Sequence, residues 1–143
     1  MRRPGDGRVY ACKEFKSFMK PFFVKETACY ETLNALNKPN FIRTVDSINI
    51  EDGSKFLFME IIDSIPLIRR IGPIKLGKFG EKVVQTLVPK RTFLNDILSM
   101  AKVVQILNRE AKIINCNLRP ESWLFSAEGV ATLCGFSKAK FPE

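Results

Sequence analysis

The chain has 143 residues, of which 45% are hydrophobic and 27% charged, with a formal net charge of +8. These values fit one folded domain with its own core and exclude a disordered chain. No apolar run reaches membrane-span length, and with no histidine and four scattered cysteines a zinc site is not expected.

The chain order starts with Arg8 to Phe15, whose Val, Tyr and Phe content predicts a strand. Glu26 to Leu36 reads as a helix that Lys38-Pro39-Asn40 ends, because a residue before proline resists the helical region. Phe41 to Ile50 and Lys55 to Ile62 read as two strands joined by Glu51-Asp52-Gly53-Ser54, where Asp-Gly suits a tight hairpin. Residues 63 to 91 are broken up by Pro66, Gly72, Pro73, Gly77, Gly80 and Pro89 and read as a connector with a short helix near Gly80 to Leu87. The longest helix follows. Leu94, Ile97, Ala101, Val104 and Leu107 recur at helical spacing, Thr92 is the expected cap, and Asp96 is placed in the first turn. Two short strands, Trp123 to Phe125 and Val130 to Leu133, close the pattern around Ser126-Ala127-Glu128-Gly129. Strand, helix, hairpin, connector, long helix and hairpin make an α+β arrangement.

That order, and several local motifs, resemble the middle of a eukaryotic-type protein kinase domain. Tyr10-Ala11-Cys12-Lys13 is similar to V-A-I-K, with Lys13 at the phosphate-pairing lysine. Asn37-Lys38-Pro39-Asn40-Phe41-Ile42 resembles H-P-N-I-V, and Met59-Glu60-Ile61-Ile62 the gatekeeper and hinge. Ile113 to Ser122, reading I-I-N-C-N-L-R-P-E-S, resembles I-I-H-R-D-L-K-P-E-N, and Leu133-Cys134-Gly135-Phe136-Ser137 resembles L-x-D-F-G. The resemblance implies a small β-rich lobe in residues 1–62 and part of a mainly helical lobe in residues 63–143. Only Gly5-Asp6-Gly7 stands where the family has its Gly-rich loop, and the match reaches just into the activation segment, as a fragment of a longer kinase-like protein or a truncated isoform would.

Within that frame the catalytic positions are changed. Asn117 replaces the carboxylate that accepts the substrate proton, and Ser122 and Gly135 replace the two magnesium ligands. Asn115 and Cys116 replace the histidine and arginine beside the base. Lys13 and Arg119 remain as phosphate contacts, and Ala11, Met59, Glu60, Ile62 and Leu124 complete the implied ATP cleft. Spacing from Lys38-Pro39-Asn40 places Cys29 opposite Lys13, with Glu26 and Glu31 the nearby acids.

The resemblance therefore implies a catalytically inactive pseudokinase that regulates or scaffolds other proteins, in the cytoplasm or nucleus. It needs no cofactor; ATP is the ligand the cleft would admit, without magnesium. A weakly active serine/threonine kinase and a basic nucleic-acid-binding module are the alternatives, with no role at a membrane expected. A fourth pattern, Gly72 to Phe79, nearly fits a phosphate-binding loop, but Phe79 stands where a hydroxyl is required.

Overall fold

The computed structural model describes residues 5–71, 74–76, 78–80, 82–84 and 89–142. The first strand, β1, is Ala11–Phe15, shorter than the predicted Arg8 to Phe15. A 3-10 turn, Ser17–Met19, leads into helix α1, Lys20–Leu36. The helix starts six residues before the expected Glu26. Pro21 lies in its first turn, where a backbone N–H has no helical partner to lose. Asn37 ends it with φ 51°, and its N–H donates to the Asn34 carbonyl at 3.1 Å.

The side chain of Asn34 then fixes where the next strand begins. Its Nδ2 donates to the Thr44 carbonyl at 3.1 Å, and its Oδ1 accepts the Thr44 N–H at 3.3 Å. Strands β2 (Thr44–Asn49) and β3 (Lys55–Met59) form the predicted hairpin. Gly53 takes φ 85° at its turn, and Asp52 Oδ1 accepts the Ser54 N–H at 2.7 Å. A Cβ on Gly53 would sit 3.1 Å from that of Ser17, so the site is doubly suited to glycine. The antiparallel sheet has the order β1-β3-β2, which makes β3 central. Its Leu57 and Phe58 are accordingly buried.

The connector is more structured than its Gly and Pro content predicts. It contains β4 (Ile65–Pro66), α2 (Leu67–Ile71), β5 (Ile74–Leu76) and β6 (Lys82–Val84). Strands β5 and β6 pair antiparallel. The helix expected near Gly80 to Leu87 is thus a strand at Lys82–Val84, and its remaining residues Glu81 and 85–87 lie outside the described residues. The phosphate-loop-like pattern is described only in part, since its Gly72, Pro73 and Gly77 lie outside the described residues.

Helix α3 spans Lys90–Arg109. It begins after Pro89, not at Thr92, and the Phe93 N–H donates to the Pro89 carbonyl at 3.0 Å. Pro89 is extended at ψ 146° and Thr92 is already helical, so Thr92 caps nothing and Asp96 belongs to the second turn. Strands β7 (Trp123–Phe125) and β8 (Ala131–Leu133) pair antiparallel, and β4 adds to β7.

One apolar cluster runs through residues of both predicted lobes, including Phe15, Cys29 and Leu33 together with Leu107, Ile113 and Phe136. The Pro39-Asn40 junction is tied to β8 across more than ninety residues of sequence. Asn40 Nδ2 donates to the Ala131 carbonyl at 3.1 Å, the Leu133 N–H donates to the Asn40 carbonyl at 2.9 Å, and Thr132 Oγ1 donates to the Pro39 carbonyl at 3.2 Å. Burial of each large apolar side chain in the cluster stabilises by about 1.5–3 kcal/mol. The junction bonds then set the orientation in which α1 faces β8 and the loop after it.

Candidate functional site

Strand β1 and helix α1 bring Lys13 and Glu26 together. Lys13 Nζ lies 2.9 Å from Glu26 Oε1 and 2.7 Å from Oε2. The Glu26 side chain is only 1% exposed, whereas that of Lys13 is 36% exposed. A carboxylate buried so deeply requires full hydrogen bonding, and a third bond comes from the Phe136 N–H to Oε1 at 3.2 Å. The Phe15 ring lies 5.0 Å below the ammonium.

This geometry settles the partner of Lys13 as Glu26. Cys29, the residue favoured by spacing, lies one turn further along α1 and is fully buried in the apolar cluster. Burial pushes its thiol up to about 11. Glu31 is on the solvent side of the helix. The count from the Pro39 junction fails because it assumes a fixed number of residues between junction and pair, while α1 presents Glu26 a turn earlier.

Two loops face the pair from below. Residues 111 to 116 alternate buried and exposed, so Asn115 points inward and is 3% exposed. Its Nδ2 donates to the Gly135 carbonyl at 3.0 Å and its Oδ1 accepts the Asn117 N–H at 2.9 Å. One buried amide therefore joins the loop carrying Asn117 to the loop carrying Gly135. Cys116, between the two asparagines, adopts φ 59°. Ser122 Oγ donates to the Asn117 carbonyl at 3.2 Å, and the Ser122 carbonyl accepts the Cys134 N–H at 2.9 Å and its Sγ at 3.3 Å.

Gly135 has φ 86°. No atom lies within 4 Å of where its Cβ would be, so a side chain there would fit in space but would adopt a strained backbone. Its N–H donates to the Tyr30 hydroxyl at 3.3 Å. Tyr30 sits one turn after Glu26, and its ring meets Phe136 edge-on at 5.2 Å. Burial drives the phenol of Tyr30 far above its ordinary range, with the neighbouring Glu26 charge acting in the same direction. Burial likewise raises the thiol of Cys134, against the pull of Lys13.

Between these elements lies a cleft of about 360 Å³. Lys13, Met59, Asn117, Arg119, Ser122 and Gly135, all expected site residues, line it. Ala11 is an exposed strand end, Leu124 packs against the apolar cluster, and Glu60 and Ile62 border a separate depression beside Asn37 and Arg43. The Glu60 N–H donates to the Arg43 carbonyl at 2.9 Å. Sequence reasoning missed Tyr30, Ile42, Glu121, Cys134 and Ser137 among the lining residues. Tyr30 had a signal, since it stands four residues after Glu26 on the same helix face.

The chemistry available follows from these groups. The Asn117 amide is no base at neutral pH, and the Ser122 hydroxyl is engaged with a carbonyl. The Glu26 carboxylate is saturated by Lys13 and Phe136. Among the described residues no group of three or more His, Cys, Asp or Glu could hold a metal ion, and no helix is long and apolar enough to cross a membrane. Lys13 and Arg119 give the cleft cationic groups suited to an anion. No protein-family model matches the chain, and no curated protein sequence matches it.

Proposed function

We propose that this chain is a kinase-like domain that has lost phosphoryl transfer and works as a regulatory or scaffolding module through contacts with other proteins. The observation that carries this reading is the cleft itself. It keeps the Lys13–Glu26 pair and a phenylalanine amide bonded to that glutamate, yet an amide, a bound hydroxyl and a glycine stand where catalysis needs a base and two metal ligands. A cleft held in place without its reactive groups is what a binding role retains and an enzyme cannot use. Free thiols at Cys12, Cys29, Cys116 and Cys134 support a reducing compartment, the cytoplasm or nucleus, as its location.

The test is a thermal-shift titration of the chain and of Lys13→Ala with ATP, with and without magnesium, followed by a phosphotransfer assay with a generic peptide substrate. No phosphotransfer under any condition is expected. A magnesium-dependent rate that vanishes in Lys13→Ala would overturn the inactive reading. A nucleotide shift seen equally without magnesium, and lost in the variant, would add a metal-independent ligand to the scaffold.

A further inference from the structure

Helix α3 carries a surface that the cleft does not use. Its buried side, with Asp96, Val103 and Leu107, packs toward β8. On the opposite side Leu94, Ile97 and Leu98 are 55%, 43% and 55% exposed. Ala101 is exposed beside them. At the helical pitch these four positions fall within an arc of roughly 100° and form one apolar stripe.

Arg91, Lys102 and Arg109 are exposed as well. Their spacing returns each to within about 20° of the others, along one border of the stripe, in a row about 27 Å long. No acid on the helix answers them. Its single acid, Asp96, is buried and paired with Arg70 at 2.7 Å, and Glu110, just beyond the helix, lies 3.5 Å from Lys38.

We propose that this face docks an acidic amphipathic helix of a partner protein, with apolar residues against the Leu94–Ala101 stripe and Asp or Glu along the basic row. The assignment gives the interaction role above a surface and a partner chemistry, and it rests on that role. Charge selects the occupant. A second copy of α3 brings no acid to the border, whereas an acidic helix supplies a matching row of carboxylates.

The test uses the full chain and two synthetic helical peptides of roughly 18 residues, long enough to span the row. Both carry leucines at the same heptad positions; one has a glutamate border, the other a lysine border. Fluorescence anisotropy is expected to show the acidic peptide binding about tenfold tighter or more, as three exposed ion pairs allow. The preference should shrink at high salt. Combined Arg91→Glu, Lys102→Glu and Arg109→Glu changes should reverse it, and Leu98→Asp should abolish binding of both peptides with the circular dichroism spectrum unchanged. Equal affinities, or a preference that survives Leu98→Asp, would overturn the proposal. So would a concentration-dependent dimer that Leu98→Asp dissolves, which would make a second copy the occupant. A chain found to phosphorylate peptides would refute the inactive cleft without altering this binding, so the two failures are distinguishable.

Discussion

Replacing Lys13 by methionine removes two of the three hydrogen bonds that hold the Glu26 carboxylate and leaves only the Phe136 N–H. Breaking a fully buried ion pair from one side costs about 3–5 kcal/mol. Here water reaches the lysine, whose side chain is 36% exposed, so part of that cost is relieved. The expected loss is about 2–3 kcal/mol, or roughly 7–10 °C in melting temperature. Glu26→Gln should cost less, about 1 kcal/mol, because glutamine can still accept the Phe136 N–H and the freed lysine can rehydrate. The double variant should then be more stable than Lys13→Met alone, since no charge is left buried without its partner. Urea unfolding of the four proteins at neutral pH measures all three differences. A Lys13→Met variant within about 0.5 kcal/mol of the parent, or a double variant less stable than both single ones, would refute the view that Glu26 is held by this pair.

Three further outcomes follow from the same geometry. Tyr30→Phe keeps the edge-on contact with Phe136 but leaves the Gly135 N–H without its acceptor, so it should destabilise by about 1 kcal/mol in urea unfolding. Asp96 has its carboxyl raised by burial, against the opposing pull of Arg70. A raised carboxyl binds its proton more tightly in the folded state, so its contribution to stability is present below the ordinary value of 3.8 and is lost as pH rises through the raised one. Asp96→Asn should remove that part of the pH slope between acid and neutral conditions, which a series of unfolding curves would show. Burial holds Cys29 as a thiol until about pH 11, so at pH 8 its thiolate fraction is on the order of a thousandth. Iodoacetamide mapping by mass spectrometry should therefore label exposed Cys116 in the folded chain and Cys29 only after unfolding.

Local signals carried the elements whose chemistry is self-contained. The Asp52-Gly53 turn fixes its hairpin because the positive φ of glycine and the Asp52 bond to Ser54 act within four residues. The end of α1 is equally local, although its agent is Asn37, whose left-handed φ of 51° stops the helix before Pro39 is reached. The connector hid β4 and α2, since a two-residue strand exists only through its pairing with β7, far away in sequence. The stripe on α3 was legible as a period but not as an orientation. Leu94 and Ile97 share their periodicity with Val104 and Leu107, yet Leu107 is fully buried while Leu94 is 55% exposed. A helix of twenty residues drifts relative to a strict repeat, so a stripe drawn through its whole length crosses from one face toward the other.

The cleft divides in the same way. Asn117, Ser122 and Gly135 could be placed from short motifs, because each motif lies within one loop. The partner of Lys13 could not, because it depends on how far α1 extends toward its N-terminus. That extension is set by Pro21 and by Phe23, which is buried and meets Phe15 edge-on at 5.3 Å. Anchoring there presents Glu26, not Cys29, to β1, and Tyr30 follows one turn later against Gly135 and Phe136. Shortening α1 at its start therefore acts on the cleft as surely as a change inside it: Phe23→Ala, by loosening that anchor, should expose Glu26 and weaken the hold on the Phe136 amide. Faster hydrogen exchange at Phe136 and Gly135 than at the β3 amides would show this coupling, and unchanged exchange at Phe136 would refute it.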